Sequence, residues 1–96
     1  MNEPLIRTVT VNNPNGLHAR PADLITKLAR GFGAEITLAK GRERVDAKSI
    51  LGILTLAATH GTQLELRAVG DDAEQALEAL EKLFDSNFAE QESEIS

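Results

Sequence analysis

Hydrophobic and polar positions alternate along four segments of the chain. Leu5 to Val11 and Thr62 to Val69 are the longer two, and Glu35 to Ala39 and Glu43 to Ala47 follow the same period of two. Alternation of this kind is typical of strands with one buried and one solvated face. Because each segment has a single apolar face, we expect an antiparallel sheet that is covered on one side only.

A period of three to four residues marks three further segments. Ala19 to Phe32 and Ala73 to Phe84 carry apolar stripes, and a shorter segment runs from Ile50 to about Ala58. These patterns predict amphipathic helices, with Ser49 and Asp72 as N-caps of the second and third. The predicted order is β-α-β-β-α-β-α, an α+β fold with three helices on one face of the sheet.

The stripe of the first predicted helix leaves some positions open. Lys27 and Arg30 lie off the stripe, and we expect both to be solvated. Leu24 and Leu28 lie beside it, and the pattern does not decide whether they widen the core or stay partly exposed. Asp23 lies one turn after Ala19, where it is either a solvated helix residue or an influence on the choice of partner.

His18 lies between the first predicted strand and the first predicted helix. A helix N-terminus presents unpaired N–H groups and a partial positive charge, and it therefore favours an anion, phosphate above all. Arg20 adds a planar fork of donors that matches phosphate oxygens. Pro21 suits the first turn, where its missing N–H costs nothing. Together these residues predict a site at which a histidine carries a phosphoryl group.

The residues around His18 support that interpretation. Asn15 and Gly16 form part of a turn cluster, which is either a plain loop or a device that orients the imidazole. The N–H groups of Ala19 and Arg20 are expected to hold phosphoryl oxygens. An imidazole with an ordinary pKa of about 6.5 is available as a neutral nucleophile near pH 7.

Two motifs carry a resemblance to a known family. Asn15 to Ala22, with the run G-L-H-A-R-P-A, resembles the active-site signature of HPr, the histidine-containing phosphocarriers of the bacterial phosphoenolpyruvate-dependent phosphotransferase system. Asp46 to Ile53 resembles the second signature of that family, and the similarity extends from about Leu5 to Asp85. It implies an open-faced β-sandwich with strand order 1-4-2-3. It also implies phosphorylation of Nδ1 of His18, with enzyme I as donor and enzyme II A components as acceptors, so that catalysis comes from the partners.

The second motif implies regulation and docking. In HPr-like proteins the serine at the position of Ser49 is a substrate of HPr kinase/phosphorylase. A phosphate adds a charge of about −1.5 to −2, which we expect to oppose an acidic partner and to slow transfer. Ile50, Leu51 and Leu54 are expected to form a partly exposed apolar patch beside His18 that docks partners. Lys27 and Lys48 are assigned to the same docking surface.

Composition narrows the classes of function. The net charge is −5, the isoelectric point is about 4.9, and aromatic residues make up 3% of the chain, which argues against nucleic-acid binding. Most basic residues lie between Arg20 and Lys48, which favours acidic partners. The chain has no cysteine, no leader-like segment and no long apolar run. We therefore expect a cytoplasmic monomer that does not insert into membranes.

The remaining expectations concern organisation and alternatives. The 96 residues should form a single domain with a core over about 5–85 and a frayed acidic tail at 86–96. His60 is interpreted as structural, and neither a metal site nor a cofactor is predicted. The alternative to a sugar-system carrier is a regulatory module of the same fold, of nitrogen type or serving catabolite control. An autonomous enzyme is disfavoured, because no nucleophile–base pair, paired carboxylates or nucleotide loop is evident.

Overall fold

The computed structural model describes residues 3–88 and contains the seven predicted elements in the predicted order. Their bounds are β1 Leu5–Thr10, α1 Ala19–Arg30, β2 Glu35–Lys40, β3 Glu43–Asp46, α2 Ile50–Leu56, β4 Gln63–Val69 and α3 Ala73–Asp85.

The strands form one antiparallel sheet in the order β1-β4-β2-β3. Leu38 on the central strand β2 is paired with Leu66 of β4 and with Val45 of β3. Val9 of β1 lies opposite Leu64. These residues share the inward face, as the alternation predicted, and the strand order implied by the family resemblance is confirmed.

The core lies between the inward face of the sheet and the three helices. Helix α3 packs on β1 and β4, α2 packs on β3, and α1 contacts both α2 and α3. The largest fully buried apolar side chains come from all three helices and the two central strands: Phe84, Ile25, Leu38, Ile53, Leu56, Leu64, Leu66, Leu77 and Leu80. No element within residues 3–88 covers the opposite face of the sheet, so the open-faced architecture is confirmed.

Helices α1 and α2 end earlier than their apolar stripes predicted. α1 ends at Arg30, because the N–H groups of Gly31 and Phe32 donate to carbonyls only three residues back, at 3.1 Å each. Phe32 still packs against the core from outside the helix. α2 ends at Leu56, and the next residue, Ala57, has left-handed backbone angles (φ 52°, ψ 42°). An apolar pattern continues past a helix end wherever the following loop also packs inward.

The two predicted N-caps behave differently. The Ser49 hydroxyl accepts a hydrogen bond from the N–H of Gly52 at 3.0 Å, which confirms it as a cap. Asp72 occupies the N-cap position of α3, as predicted, but its side chain makes no capping hydrogen bond. Its carboxylate instead accepts hydrogen bonds from Gly33 at 2.9 Å and Ala34 at 2.8 Å. The side chain therefore joins the turn after α1 to the start of α3.

The fold continues beyond the predicted limit of the core. After α3, the N–H of Phe88 donates to the carbonyl of Leu83, and its ring packs edge-on against Phe84 with centroids 5.2 Å apart. Phe88 is only 5% exposed. A frayed tail beginning at Ser86 is therefore wrong for residues 86–88, because burying the Phe88 ring holds the chain back against α3. The rest of the predicted tail, 89–96, lies outside the described residues.

The apolar borders of α1 are shared between core and surface. Leu24 and Leu28 are half-buried and pack against the core cluster, which answers the question that the pattern left open. Lys27 and Arg30 are exposed, as predicted. Across residues 3–88, no helix is long and apolar enough to cross a membrane.

Candidate functional site

The loop that carries His18 is fixed to the loop between α2 and β4. The N–H of Leu17 donates to the carbonyl of Ala58 at 2.9 Å. At the base of the loop, Val11 donates to Thr62 at 2.9 Å and accepts from Gly61 at 2.7 Å. The buried side chains of Val11 and Leu17 anchor the loop in the core. The approach to α1 is thus determined by contacts with a segment about 40 residues further along the chain.

Gly16 passes closest to that segment. Its φ is +69°, and an added Cβ would lie 2.4 Å from the carbonyl oxygen of Ala58 and 3.0 Å from Cα of Thr59. A side chain at this position would be strained by the backbone and would also collide with it. Gly16 therefore allows the loop to approach closely enough for the Leu17–Ala58 hydrogen bond.

Asn13 holds the turn together, and sequence reasoning did not single it out. Its side chain is buried (8% exposed), and its amide donates to the carbonyl of Gly16. The N–H of Gly16 donates in return to the carbonyl of Asn13 at 3.1 Å. Asn15, the predicted positioning residue, is exposed, and its side chain has no hydrogen bond within residues 3–88. The signal was the run of three asparagines around Pro14, but the sequence does not show which of them points inward.

His18 is the N-cap residue of α1 and is exposed. Its backbone is extended (φ −84°, ψ −166°), and its carbonyl accepts the first helical bond from Ala22 at 3.0 Å. The imidazole makes no capping hydrogen bond. The exposed ring is therefore not used to cap the helix.

The surroundings of His18 are electropositive. Ala19 and Arg20 are exposed in the first turn of α1, and Pro21 is buried behind them. No acidic residue lies in that first turn. An anion placed beside the imidazole would meet the partial positive charge of the helix N-terminus, and Arg20 adds a formal positive charge to the same turn.

Helices α1 and α2 run antiparallel. The His18 loop contacts Ala58 beyond the C-terminal end of α2, whereas Arg30 at the end of α1 donates from Nε to the carbonyl of Lys48 at 3.2 Å. The seven residues of α2 span about 10 Å at 1.5 Å per residue. Ser49 thus begins α2 at the end remote from the His18 loop.

The predicted docking residues divide along this pair of helices. Leu51 is 75% exposed and Leu54 is 36% exposed on α2, while Ile50 is half-buried against the core. Leu54 lies in the last turn of α2, at the end that faces the His18 loop. Lys48 lies at the other end, and its ammonium donates to the carbonyl of Phe32 at 2.8 Å.

Two more predictions from the sequence concern His60 and the absence of a metal site. His60 is exposed in the turn before β4, next to Thr59, whose Cα lies close to Gly16. Within residues 3–88, no group of three or more histidine, cysteine, aspartate or glutamate side chains is arranged to hold a metal ion.

The fold and the site define a class of protein: a small open-faced sandwich that presents a histidine, with an arginine beside it, at the start of a helix for phosphoryl transfer. The family described as the PTS HPr component phosphorylation site matches residues 5–86. The chain therefore belongs to the HPr family, the phosphocarriers of the phosphotransferase system, as its two motifs indicated. Members of this family are phosphocarrier proteins and not catalysts, and they act with phosphotransfer partners.

Individual relatives agree with this assignment. The phosphocarrier protein HPr of Treponema pallidum is 45% identical over 87 residues, which cover 91% of this chain and 99% of that protein. The phosphocarrier protein NPr of Shewanella violacea is 43% identical over 86 residues, covering 90% and 94%. The crystal structure of HPr-C-His from Thermoanaerobacter tengcongensis is 41% identical, with a TM-score of 0.86 over 88% of this chain and 96% of that one.

Proposed function

We propose that His18 accepts a phosphoryl group from phosphorylated enzyme I in the cytoplasm and passes it to enzyme II A components. The observation that carries this proposal is the position of His18, an exposed N-cap residue whose imidazole is not used to cap the helix. A histidine with a purely structural role at this position would be expected to cap the helix through a hydrogen bond of its ring. Membership of the HPr family indicates which reaction is involved, namely phosphoryl transfer.

The transfer step follows from the chemistry of the ring. The lone pair of Nδ1 of neutral His18 attacks phosphorus, and an N–P bond forms while the bond between phosphorus and the donor breaks, its electron pair staying with the donor. The guanidinium of Arg20 and the N–H of Ala19 hold the phosphoryl oxygens. The helix N-terminus adds about 0.3–1 kcal/mol of stabilisation, up to about 2 kcal/mol if the group is partly buried. These groups stabilise the phosphohistidine, and the partner supplies the catalysis of transfer.

Partners are proposed to dock on the surface formed by Leu51 and Leu54 of α2 and Lys27 of α1, hereafter the docking face. The two leucines give apolar area, and Lys27 gives an exposed charge that attracts acidic groups. Ile50 supports the face from its half-buried position. Lys48 contributes less than the sequence suggested, because its ammonium is held by the Phe32 carbonyl.

The carrier proposal is tested by phosphate transfer. The protein is incubated with enzyme I and labelled phosphoenolpyruvate, beside His18→Ala and Arg20→Gln. We expect label that is acid-labile and base-stable on the wild type, none on His18→Ala, and transfer slowed about tenfold or more by Arg20→Gln, since each 1.4 kcal/mol of lost stabilisation costs a factor of ten. If the wild type stays unlabelled while a control HPr is labelled by the same enzyme I, the donor assignment is wrong.

Regulation at Ser49 is proposed separately, through HPr kinase/phosphorylase. Because Ser49 lies about 10 Å from the His18 loop along α2, we expect its phosphate to act on partner docking more than on the imidazole itself. Ser49→Asp should slow transfer from enzyme I. Ser49→Ala removes the hydroxyl cap without adding charge, so it should lower stability by about 1 kcal/mol and leave transfer unchanged. Equal transfer rates for Ser49→Asp and wild type would remove the basis for this regulation.

A second candidate function is a nitrogen-type carrier with a regulatory role, which the 43% identity to an NPr supports. The two candidates share the chemistry of His18 and differ in their partners. Parallel transfer assays with purified sugar-system and nitrogen-type enzyme I distinguish them, the faster donor identifying the system.

A further inference from the structure

The exposed side of α1 carries an ion pair that includes Lys27 of the docking face. The ammonium of Lys27 lies 3.1 Å from the carboxylate of Asp23, four residues earlier in the helix. The Lys27 side chain is 72% exposed and that of Asp23 is 43% exposed. Both follow Arg20 along one side of the helix, at spacings of three and seven residues. The charge of Lys27 is therefore partly offset by Asp23.

Asp23 is the sole acidic residue in the two helices that form this surface. Within Ala19–Arg30 the cations are Arg20, Lys27 and Arg30, and Ile50–Leu56 contains no charged residue at all. The formal charge of the helix pair is thus +2 with Asp23 and +3 without it. One carboxylate therefore has a large share in the electrostatic potential that a partner meets on approach.

We propose that Asp23 is a specificity-determining residue of the docking face. By pairing with Lys27, it lowers the attraction of this face for a uniformly acidic partner surface. A partner that places a basic side chain opposite Asp23 loses less affinity, because that side chain can form an ion pair with the Asp23 carboxylate. Asp23 acts on recognition and does not contact the transferred phosphoryl group. This inference rests on the docking face proposed above.

The size of the effect follows from exposure. Both side chains are solvated, so the pair contributes little to stability, and its influence on binding is screened over about 8–10 Å at ordinary ionic strength. Removing the carboxylate should change affinity for an acidic partner by about two- to five-fold, mainly through the association rate. The change should vanish at about 0.5 M salt, where the screening length is far shorter.

The test is a double-mutant cycle with unphosphorylated enzyme I as the probe. Wild type, Asp23→Asn, Lys27→Gln and the double variant are titrated by calorimetry at low and high salt. Asp23→Asn should tighten binding about two- to five-fold at low salt. Lys27→Gln should weaken binding less in the wild type than in the Asp23→Asn background, because Asp23 already offsets Lys27 in the wild type.

A matched control separates this local effect from net charge. Asp71→Asn removes one negative charge from the turn before α3 and should leave the affinity unchanged. Equal affinities for wild type and Asp23→Asn overturn the proposal. So do an equal effect of Lys27→Gln in both backgrounds, an equal gain from Asp71→Asn, or no binding by any variant. Because binding is measured without transfer, coupling between Asp23 and Lys27 that persists while His18 stays unlabelled would reject the carrier proposal and keep this one.

Discussion

Gly16 controls the position of His18 from two residues away. Its left-handed backbone and its contact with the Ala58 carbonyl let the loop lie against the segment after α2. Gly41, in the turn between β2 and β3, has a similar φ of +59°, but an added Cβ there would meet nothing within 4 Å. Substitutions at these two glycines therefore allow the cost of backbone strain to be separated from the cost of steric collision.

Alanine substitutions at these glycines should differ in a defined way. Gly41→Ala should cost about 1 kcal/mol from left-handed strain alone. Gly16→Ala should cost about 2–4 kcal/mol, since collision adds to the strain. It should also slow transfer to His18 by tenfold or more, because small displacements of a reacting group are costly. Urea denaturation and the enzyme I assay measure both, and equal costs at the two positions would show that the contact with Ala58 does not matter.

Single residues also show where sequence reasoning ends. The motif placed His18, Arg20 and Pro21 at the start of a helix, because a turn cluster followed by an apolar stripe marks such a start. It could not separate Asn13 from Asn15, because the burial of either side chain depends on a loop far along the chain.

At the scale of elements, Asp72 links α3 to the turn after α1. The hydrogen bond from Gly33, together with that from Ala34, lowers the pKa of the Asp72 carboxyl below its ordinary value of 3.8, against an opposing effect of burial. Because the pKa is lower in the folded state, the ionised group stabilises the fold above pH 4. That stabilisation is lost as the pH falls through the folded-state pKa.

Asp72→Asn should therefore be less stable than wild type at pH 7, since Gly33 and Ala34 donate to different carboxylate oxygens and an amide would turn its NH2 group toward one of these donors. The difference should shrink as the pH falls below about 4 and then through the folded-state pKa of Asp72, because the wild-type carboxylate loses the charge that stabilises the fold. Thermal unfolding from pH 7 to pH 2.5 measures it, with Asp71→Asn as a control that lacks these bonds. A difference that does not depend on pH would mean that the charge of Asp72 is irrelevant.

The elements themselves were largely predictable from the sequence, whereas the contacts between them were not. Periods of two and of three to four residues identify all four strands and three helices within a few residues. The side chain of Asp72 escaped prediction because its partners lie 38 and 39 residues away. The same limit applies to Ser49, whose distance from His18 depends on α1 and α2 being antiparallel. Patterns along a chain report which face of an element is buried, and not which end meets which neighbour.

At the scale of the molecule, Phe88 closes the core beyond the last helix. Its ring is buried against Phe84, where the sequence suggested a frayed tail. One aromatic residue among polar neighbours gives no periodic signal, so its burial could not be inferred.

Phe88→Ala should lower the stability by about 2–3 kcal/mol, the amount expected for a large apolar side chain removed near a chain end. For a domain of this size, the corresponding fall in Tm is about 10 °C or more. Phe88→Leu keeps most of the apolar volume and should cost less than about 1.5 kcal/mol. Calorimetry compares the three proteins, and an unchanged Tm for Phe88→Ala would mean that the ring contributes no stability.

The uncovered face of the sheet gives the molecule a front and a back. His18 and the proposed docking face lie on the helical side, whereas Thr8, Thr37 and Glu65 alternate with core residues and so point away from it. The uncovered face of the sheet is therefore a suitable place to attach a label or a tether. A fluorophore or a surface tether attached through cysteine at position 8 or 37 of this cysteine-free chain would leave the front free for its partners. The protein could then be immobilised in a single known orientation.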